Sequence, residues 1–382
     1  MKSPDIVIVG GGIIGSACAY ELARAGTRVA LVERGELAAE ASGASAGLVG
    51  PRYRPMSVPM AALRDASYKR FGPLVVQVEE ETGQRCGLIR TASLMVALDD
   101  ASATALHERF VWQQSQGISS TWLSGDEARA LEPMLAPSVS AAIRMDGEYA
   151  VIAPLLTQRL AEAAVLHGAH LYRGTTVIGL PHHGTHVTGV ALTDGLLPAG
   201  TVVLAAGAWT RFCGDWLGVP VPVFPVRGQI VAVERPPSLL RHVLLAGTGY
   251  VAARADGRII TGATEEPEAG FDKRVTVGGM QTMLDQLFTL LPGMRAATFS
   301  AAWAGLRPGS PDGLPLIGPL PGYENVFVAS GHFRGGILFA PITAEIITAL
   351  VTGTAPPLDA GPFSPARPRL LAPQRSLAGT TG

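Results

Sequence analysis

DIVIVGGGIIGSACAYELARAGTRVALVERG, residues 5–35, begins as an apolar run, turns through glycines, continues with helical spacing and closes on the second apolar run TRVALVE. This is a βαβ unit of the Rossmann type. Gly10, Gly12 and Gly15 occupy the pattern GxGxxG. The first permits a tight turn, the second lets a pyrophosphate approach the backbone, and the third allows close helix–strand packing. The helix N-terminus offers free N–H groups to the phosphates. A bare GxGxxG in a Gly-rich chain can be an ordinary turn. Here it follows a strand and opens a helix. Glu33 ends the second strand 18 residues after Gly15, where a carboxylate meets an adenosine ribose and argues against a 2′-phosphate. The unit is therefore expected to bind a dinucleotide.

At 382 residues the chain exceeds the usual single-core size, so two domains are expected. Hydrophobic residues form 47% and charged residues 16%, which excludes disorder, and a net charge of −1 offers no field for nucleic acid. Cys18, Cys86 and Cys213 form no CxxC pair and no metal-ligand spacing, so neither a disulfide framework nor a metal site is expected. The N-terminus shows no basic region or cleavage site ahead of its first strand, and no run approaches 18 apolar residues. A cytoplasmic protein is expected, with peripheral docking on a membrane complex left open.

Further along, helical spacing covers 62–82, 101–116, 125–131 and 154–168, while LIRTASLMVAL (88–98) alternates as a strand. TVVLAAGAW (201–209) reads as a buried strand ending in small residues, and VRGQIVAVE, GYVAAR and GRIITGAT read as antiparallel strands. Rossmann-like pieces thus alternate with β-rich ones. The expected fold is α/β: a glutathione-reductase-like, parallel-sheet Rossmann domain (1–84, 150–216 and 303–351) interleaved with an antiparallel-sheet α+β substrate domain (85–149 and 217–302). A ligand cleft is expected where they meet. A Pro-rich arm, 352–382, is expected to run over the surface, and WAGLRPGSPDGLP (303–315) to form a stiff Gly/Pro loop carrying a lone cation, Arg307.

Four stretches, GGGIIGSACAYELARAG with LVERG, ASGASAGL, WAGLRPGSPDGLPLIG and GHFRGGILFAP, together resemble the flavin-dependent D-amino-acid-oxidase-like amine oxidoreductases. The pattern is most similar to the glycine oxidase branch and to the catalytic β subunits of hydrogen cyanide synthase, opine and D-hydroxyproline dehydrogenases. The resemblance implies FAD. It assigns cofactor contacts to Gly10, Gly12, Ile13, Ile14, Gly15, Glu33 and Arg34, to Ala41, Ser42, Ala46, Gly47 and Leu48, and to Val177, Gly207, Trp209 and Gly305. It continues them through Gly331, His332, Phe333, Arg334, Gly335, Gly336, Ile337 and Leu338. The attachment sites of covalent family members, a late Cys or a His in the early small-residue loop, are missing, so FAD is expected to be bound non-covalently.

The resemblance also implies that Arg307 clamps a substrate carboxylate, a role suited to a planar guanidinium. Tyr250 would donate a phenolic hydrogen bond, unless it is a core tyrosine, and Arg334 would lie on the substrate side of the flavin or serve the flavin alone. His332 is expected to face the flavin rather than act as a base, because family members pass the α-hydrogen to flavin N5 as a hydride from a substrate with a neutral amine. Glu265 is expected as a solvated rim carboxylate; otherwise it would meet a second, cationic group on the substrate. The implied activity is oxidation of a small amino acid or secondary amine to an imine that water hydrolyses to a 2-oxo acid. The electrons pass to O2 or to an electron-accepting partner subunit, in a homo- or hetero-oligomer. Two other classes compete: a nicotinamide-dependent dehydrogenase, which the glycine turn alone permits, and a non-enzymatic flavoprotein assembly factor, against which both arginines argue.

Overall fold

The computed structural model describes residues 3–51, 53–235 and 240–368. The opening unit folds as strand Ile6–Val9, helix Ile13–Arg24 and strand Val29–Val32. Gly10 turns the chain at φ +114°, and a Cβ there would lie 2.6 Å from the Ala205 carbonyl oxygen, so only glycine fits. The two strands sit inside a six-stranded sheet ordered Leu316–Pro319, Val326–Ser330, Thr201–Leu204, Ile6–Val9, Val29–Val32 and His170–Tyr172. All its neighbours are parallel except the first pair.

Both faces of this sheet are covered, which is why its strands are apolar throughout. Ile6, Ile8, Val29 and Leu31 pack under helices Ile13–Arg24, Val58–Thr82, Ala153–Leu166 and Gly336–Thr352. Val7, Val9, Ala30 and Val32 face the other way, onto Val190, Leu217 and Val221.

A second sheet has nine strands. Thr298–Gly309, Phe224–Glu234, Ile259–Gly262, Gly249–Ala253, Val243–Ala246, Ile89–Ala97, Ala141–Ala150 and Leu48–Val49 follow one another, with Ser120–Ser124 beside Ala141–Ala150. It is antiparallel except where Val243–Ala246 meets Ile89–Ala97 in parallel. The division expected at residue 303 falls inside the strand Thr298–Gly309.

Three expectations are corrected. Trp303–Gly309 is strand, not loop: it pairs along Phe224–Glu234 with Arg307 opposite Val226, and the loop begins only at Ser310. Pro308 is tolerated because this strand ends the sheet and one of its edges needs no N–H donor. Secondly, the helical stretch Phe333–Thr352 is long and apolar enough to cross a membrane, with mean hydropathy 1.7, but it is largely buried inside the protein. Thirdly, the arm is anchored over its described part: Phe363 is fully buried, and Arg367 pairs with Asp312 at 2.7 Å and donates to the Pro315 and Phe363 carbonyls. Residues 369–382 of the arm lie outside the described residues.

Candidate active site

Strand alternation puts Trp303, Gly305 and Arg307 on one face of the nine-stranded sheet. Opposite them across the pair lie Ile230, Gly228 and Val226. Across further strands Gly262, Tyr250, Leu245 and Met95 follow in register. Two glycines in this face shape what stands on it. A Cβ on Gly228 would lie 2.3 Å from both terminal nitrogens of Arg307, so the guanidinium lies flat across that glycine. A Cβ on Gly262 would lie 2.7 Å from Cζ of Tyr250, so the phenol ring lies over that one. Glycine inside a strand marks such close approach.

Above this face is a cavity of about 1430 Å³, bounded on its other side by the glycine turn of the Rossmann unit. Of the sequence-predicted cofactor residues, Gly10, Gly12, Ile13, Ile14, Glu33, Arg34, Ala41, Ser42, Ala46 and Leu48 line it, as do Val177, Gly207, Trp209, Gly305, and 332–338. Gly15, Gly47 and Gly331 stand behind the wall. A Cβ on Gly47, at φ +73°, would strike the Val151 carbonyl.

The cradle is held by named contacts. The Glu33 carboxylate accepts from the Gly11 and Gly35 amides at 2.7 and 2.9 Å, and Ser42 Oγ accepts from the Ile13 amide at 2.9 Å. Trp303 Nε1 donates to the Ala44 carbonyl at 3.2 Å and so pins the small-residue loop to the sheet. At one end the Arg34 guanidinium sits 4.3 Å from the centre of the Trp209 ring while pairing with Glu40.

Arg307 and Tyr250 both line the cavity. Arg307 donates one hydrogen bond, to the Thr264 carbonyl at 3.0 Å, and has no acidic partner among the described residues. Burial lowers its pKa and the Arg334 charge lowers it further; Tyr250, Glu265 and Glu266 oppose this. Burial raises the pKa of Tyr250 against the pull of Arg307, Arg334 and Arg254, so the phenol keeps its proton and can donate. The segment that receives Arg307 is itself fixed. Arg227 pairs with Glu266 and Gln229 Nε2 donates to the same carboxylate at 2.7 Å.

Arg334 lines the cavity from a tight turn in which Phe333 adopts φ +49°. It bonds to the Thr248 carbonyl at 3.1 Å and pairs with Glu265. Glu265 does not line the cavity, and its carboxylate is half exposed and already matched by Arg334. Of its two expected readings, the rim position agrees with this geometry, while a substrate cation would have to displace Arg334.

His332 is buried, with Nε2 3.0 Å from Thr343 Oγ1 and Nδ1 without a partner. Burial pushes its pKa down to about 3, so the imidazole is neutral.

Residues not singled out in the sequence also form the wall. Gly228 and the strand neighbours Leu245 and Met95 belong to the face that carries Arg307 and Tyr250. Tyr53, Arg54, Arg64, Arg109 and Glu148 form a further polar end. Gly228 carried one available signal, a glycine inside the strand pattern VRGQIVAVE.

A dinucleotide cradle opening onto a buried, unpaired guanidinium and a protonated phenol fits the class of dinucleotide-dependent oxidoreductases. The model of the FAD dependent oxidoreductase family (DAO) matches residues 5–350, and the chain belongs to that family. It is 35% identical over 364 residues to the glycine oxidase of Geobacillus kaustophilus, covering 94% of this chain and 96% of the relative. The crystal structure of glycine oxidase from that organism superposes with a TM-score of 0.90 over 95% of this chain and 98% of the other. The hydrogen cyanide synthase subunit HcnC of Pseudomonas aeruginosa is 33% identical, with 96% of each chain covered. The iminodiacetate oxidase IdaA of Chelativorans sp. BNC1 is 27% identical, with a TM-score of 0.87 and coverage of 94% and 98%. The protein is thus an FAD-dependent oxidoreductase acting on CH–NH2 or CH–NH groups.

Proposed function

We propose that the enzyme oxidises a small amino acid or secondary amine whose carboxylate is held by Arg307 and Tyr250, yielding an imine that water hydrolyses to a 2-oxo acid. The observation that carries this is the Arg307 guanidinium, buried across Gly228 with its charge unmatched. An anion placed there gains charge-assisted bonds in a desolvated site.

The residues present fit FAD. Side chains on Gly10 or Gly15 would strike backbone, so the glycine turn stays open to a pyrophosphate. His332 Nδ1 is a buried polar atom awaiting a partner on the cavity wall. The helix Gly336–Thr352 begins at the same wall, where its N-terminus favours negative charge.

Bound flavin supplies a two-electron acceptor for the substrate C–H bond. This chain's own groups do the rest. Arg307 and Tyr250 fix the carboxylate and thereby the face of the α-carbon. The cationic surroundings lower the pKa of the substrate amine, so that it is neutral when it reacts. His332, kept neutral, holds its position through Thr343 and takes no proton from the substrate. We read the cofactor as non-covalent. The one thiol on the wall, Cys213, is pushed up to about 12 by burial and is not a nucleophile at neutral pH. The free, buried thiols fit a cytoplasmic location.

O2 is the proposed electron acceptor. Similarity to HcnC supports a second reading, in which a partner subunit takes the electrons. Anaerobic titration of the yellow holoprotein with glycine, sarcosine, D-amino acids and opines, followed by air, tests both. Bleaching and rapid recolouring are expected. Bleaching without recolouring supports the partner-subunit reading, and bleaching by no amine refutes the proposal. Arg307→Ala should retain FAD and bleach far more weakly; loss of FAD with it would assign Arg307 to cofactor binding.

A further inference from the structure

The end of the cavity formed by Tyr53, Arg54, Arg64, Arg109 and Glu148 has no part in the reading above. Its groups are all donors. Arg54, Arg64 and Arg109 line the wall, and none of the three has an acidic salt-bridge partner among the described residues. Arg64 donates to the Gly50 and Pro51 carbonyls, and Arg109 makes one contact, 3.1 Å to Met95 Sδ. Burial lowers the pKa of Arg64 to about 10, with Asp65 opposing and Arg54 adding to the effect; burial and then Arg54 lower that of Arg109. The Arg54 guanidinium therefore stands in the field of both of the others.

The single acid among them does not neutralise them. Glu148 is 3% exposed, its Oε2 has no hydrogen-bond partner, and burial raises its pKa to about 8, so at neutral pH it is a carboxylic acid. The Tyr53 hydroxyl is also buried without a partner. Both oxygens converge on one spot, since a Cβ added to Gly50 would run into each of them. The Tyr53 backbone is held by Gln113, whose Nε2 donates to its carbonyl at 3.0 Å. Unpartnered buried donors beside unpaired cations on a cavity wall are costly unless an acceptor arrives.

The register gives the separation. Tyr250, Leu245 and Met95 lie opposite one another on three adjacent strands, which places Met95, and Arg109 on its sulfur, about 10 Å from Tyr250 along the sheet face. We propose that this end is a second anion subsite, and that the substrate is an amino acid or secondary amine with a second carboxylate, held here, several bonds from the one at Arg307. The proposal rests on the reading of Arg307 as the first clamp. It also accounts for a wall with a second group of cations, which an enzyme specific for glycine alone would not use.

The test compares substrates on the FAD holoenzyme. One arm uses N-substituted glycines of graded length, from N-carboxymethylglycine to N-(5-carboxypentyl)glycine, each against the N-alkylglycine lacking the distal carboxylate. A second arm uses D-2-aminoadipate against D-norleucine, to separate a carboxylate on the nitrogen from one on the side chain. Anaerobic bleaching rates give kcat/KM, and glutarate against butyrate, followed by perturbation of the flavin spectrum, gives binding without turnover. The distal carboxylate should raise kcat/KM on the order of tenfold to a hundredfold, the size of one or two charge-assisted hydrogen bonds. Arg109→Met should shrink that ratio and weaken glutarate relative to butyrate, whereas the isosteric Glu148→Gln, a neutral donor like the protonated acid, should leave the ratio within about threefold. If glycine and sarcosine bleach the flavin but every dicarboxylate merely equals its isostere in both arms, the second subsite is refuted while the Arg307 reading stands. If no amine bleaches it, the Arg307 reading itself fails.

Discussion

Replacing Gly228 by alanine tests the geometry of the clamp without touching the clamp itself. The added methyl would lie 2.3 Å from both terminal nitrogens of Arg307 and 2.4 Å from Cζ, so the guanidinium must retreat by about 1 Å to reach ordinary contact near 3.5 Å. The neighbour is the far end of a flexible side chain, so the fold can accommodate this. Alanine in a strand interior costs less backbone entropy than glycine, and the change in stability should be under about 1 kcal/mol. The site cannot accommodate it so readily. A clamp displaced by 1 Å holds the α-carbon out of line, and such misplacement costs on the order of a hundredfold in rate. The assay is anaerobic stopped-flow bleaching of purified Gly228→Ala holoprotein, with thermal unfolding and flavin content measured alongside. The expected result is wild-type stability and flavin content with kcat/KM lowered on the order of a hundredfold. Activity within threefold of wild type would refute the placement of the carboxylate on Arg307.

Tyr250→Phe removes one neutral donor and leaves the ring over Gly262; kcat/KM should fall about tenfold with FAD content unchanged, measured by the same bleaching assay. Glu148→Gln should flatten the pH profile of stability. The carboxyl is raised from an ordinary 4.5 to about 8 by burial, so the folded state holds a proton that the unfolded state releases, and stability is lost as pH rises through that window. Unfolding free energies of wild type and Glu148→Gln should diverge between pH 5 and 8 by no more than about 5 kcal/mol at 1.36 kcal/mol per pKa unit; parallel profiles would show that Glu148 ionises freely. Asp312→Ala leaves Arg367 buried and unpaired and should cost about 3 kcal/mol in urea unfolding, since breaking a buried pair strands its partner.

The parts legible in the sequence were those written in consecutive residues. The glycine turn, its flanking strands and Glu33 share one stretch of 31 residues, and the expected helices at 62–82 and 154–168 became Val58–Thr82 and Ala153–Leu166 because local spacing determines a helix. Arg307 was legible as a residue but not as a position. Its Gly/Pro neighbours read as a loop, because turn residues and an edge strand that tolerates proline use the same alphabet. What holds it in the position proposed for a clamp is Gly228, 79 residues earlier, and that relation exists only through cross-strand register. The second polar end was illegible for the same reason. Tyr53 and Arg54 follow the small-residue loop, Arg64 is on a helix, Arg109 on another, and Glu148 sits in a strand at a bulge.

The distribution of charge explains why two neighbouring arginines have different tasks. Arg334 and Arg307 both line the cavity and repel each other, since each lies in the other's field. Glu265 absorbs the charge of Arg334 at the rim, and the Thr248 carbonyl fixes its direction. Arg334 thereby ties the turn at 333–335 to the nine-stranded sheet and adds little net charge to the interior. Arg307 has only a carbonyl to satisfy, so the positive potential at that end falls on one guanidinium. On the proposed reading a substrate carboxylate is drawn to Arg307 and not to Arg334, because binding at Arg334 would first require displacing Glu265. Selectivity between the two follows from where the counter-charge was placed, not from any difference between the arginines.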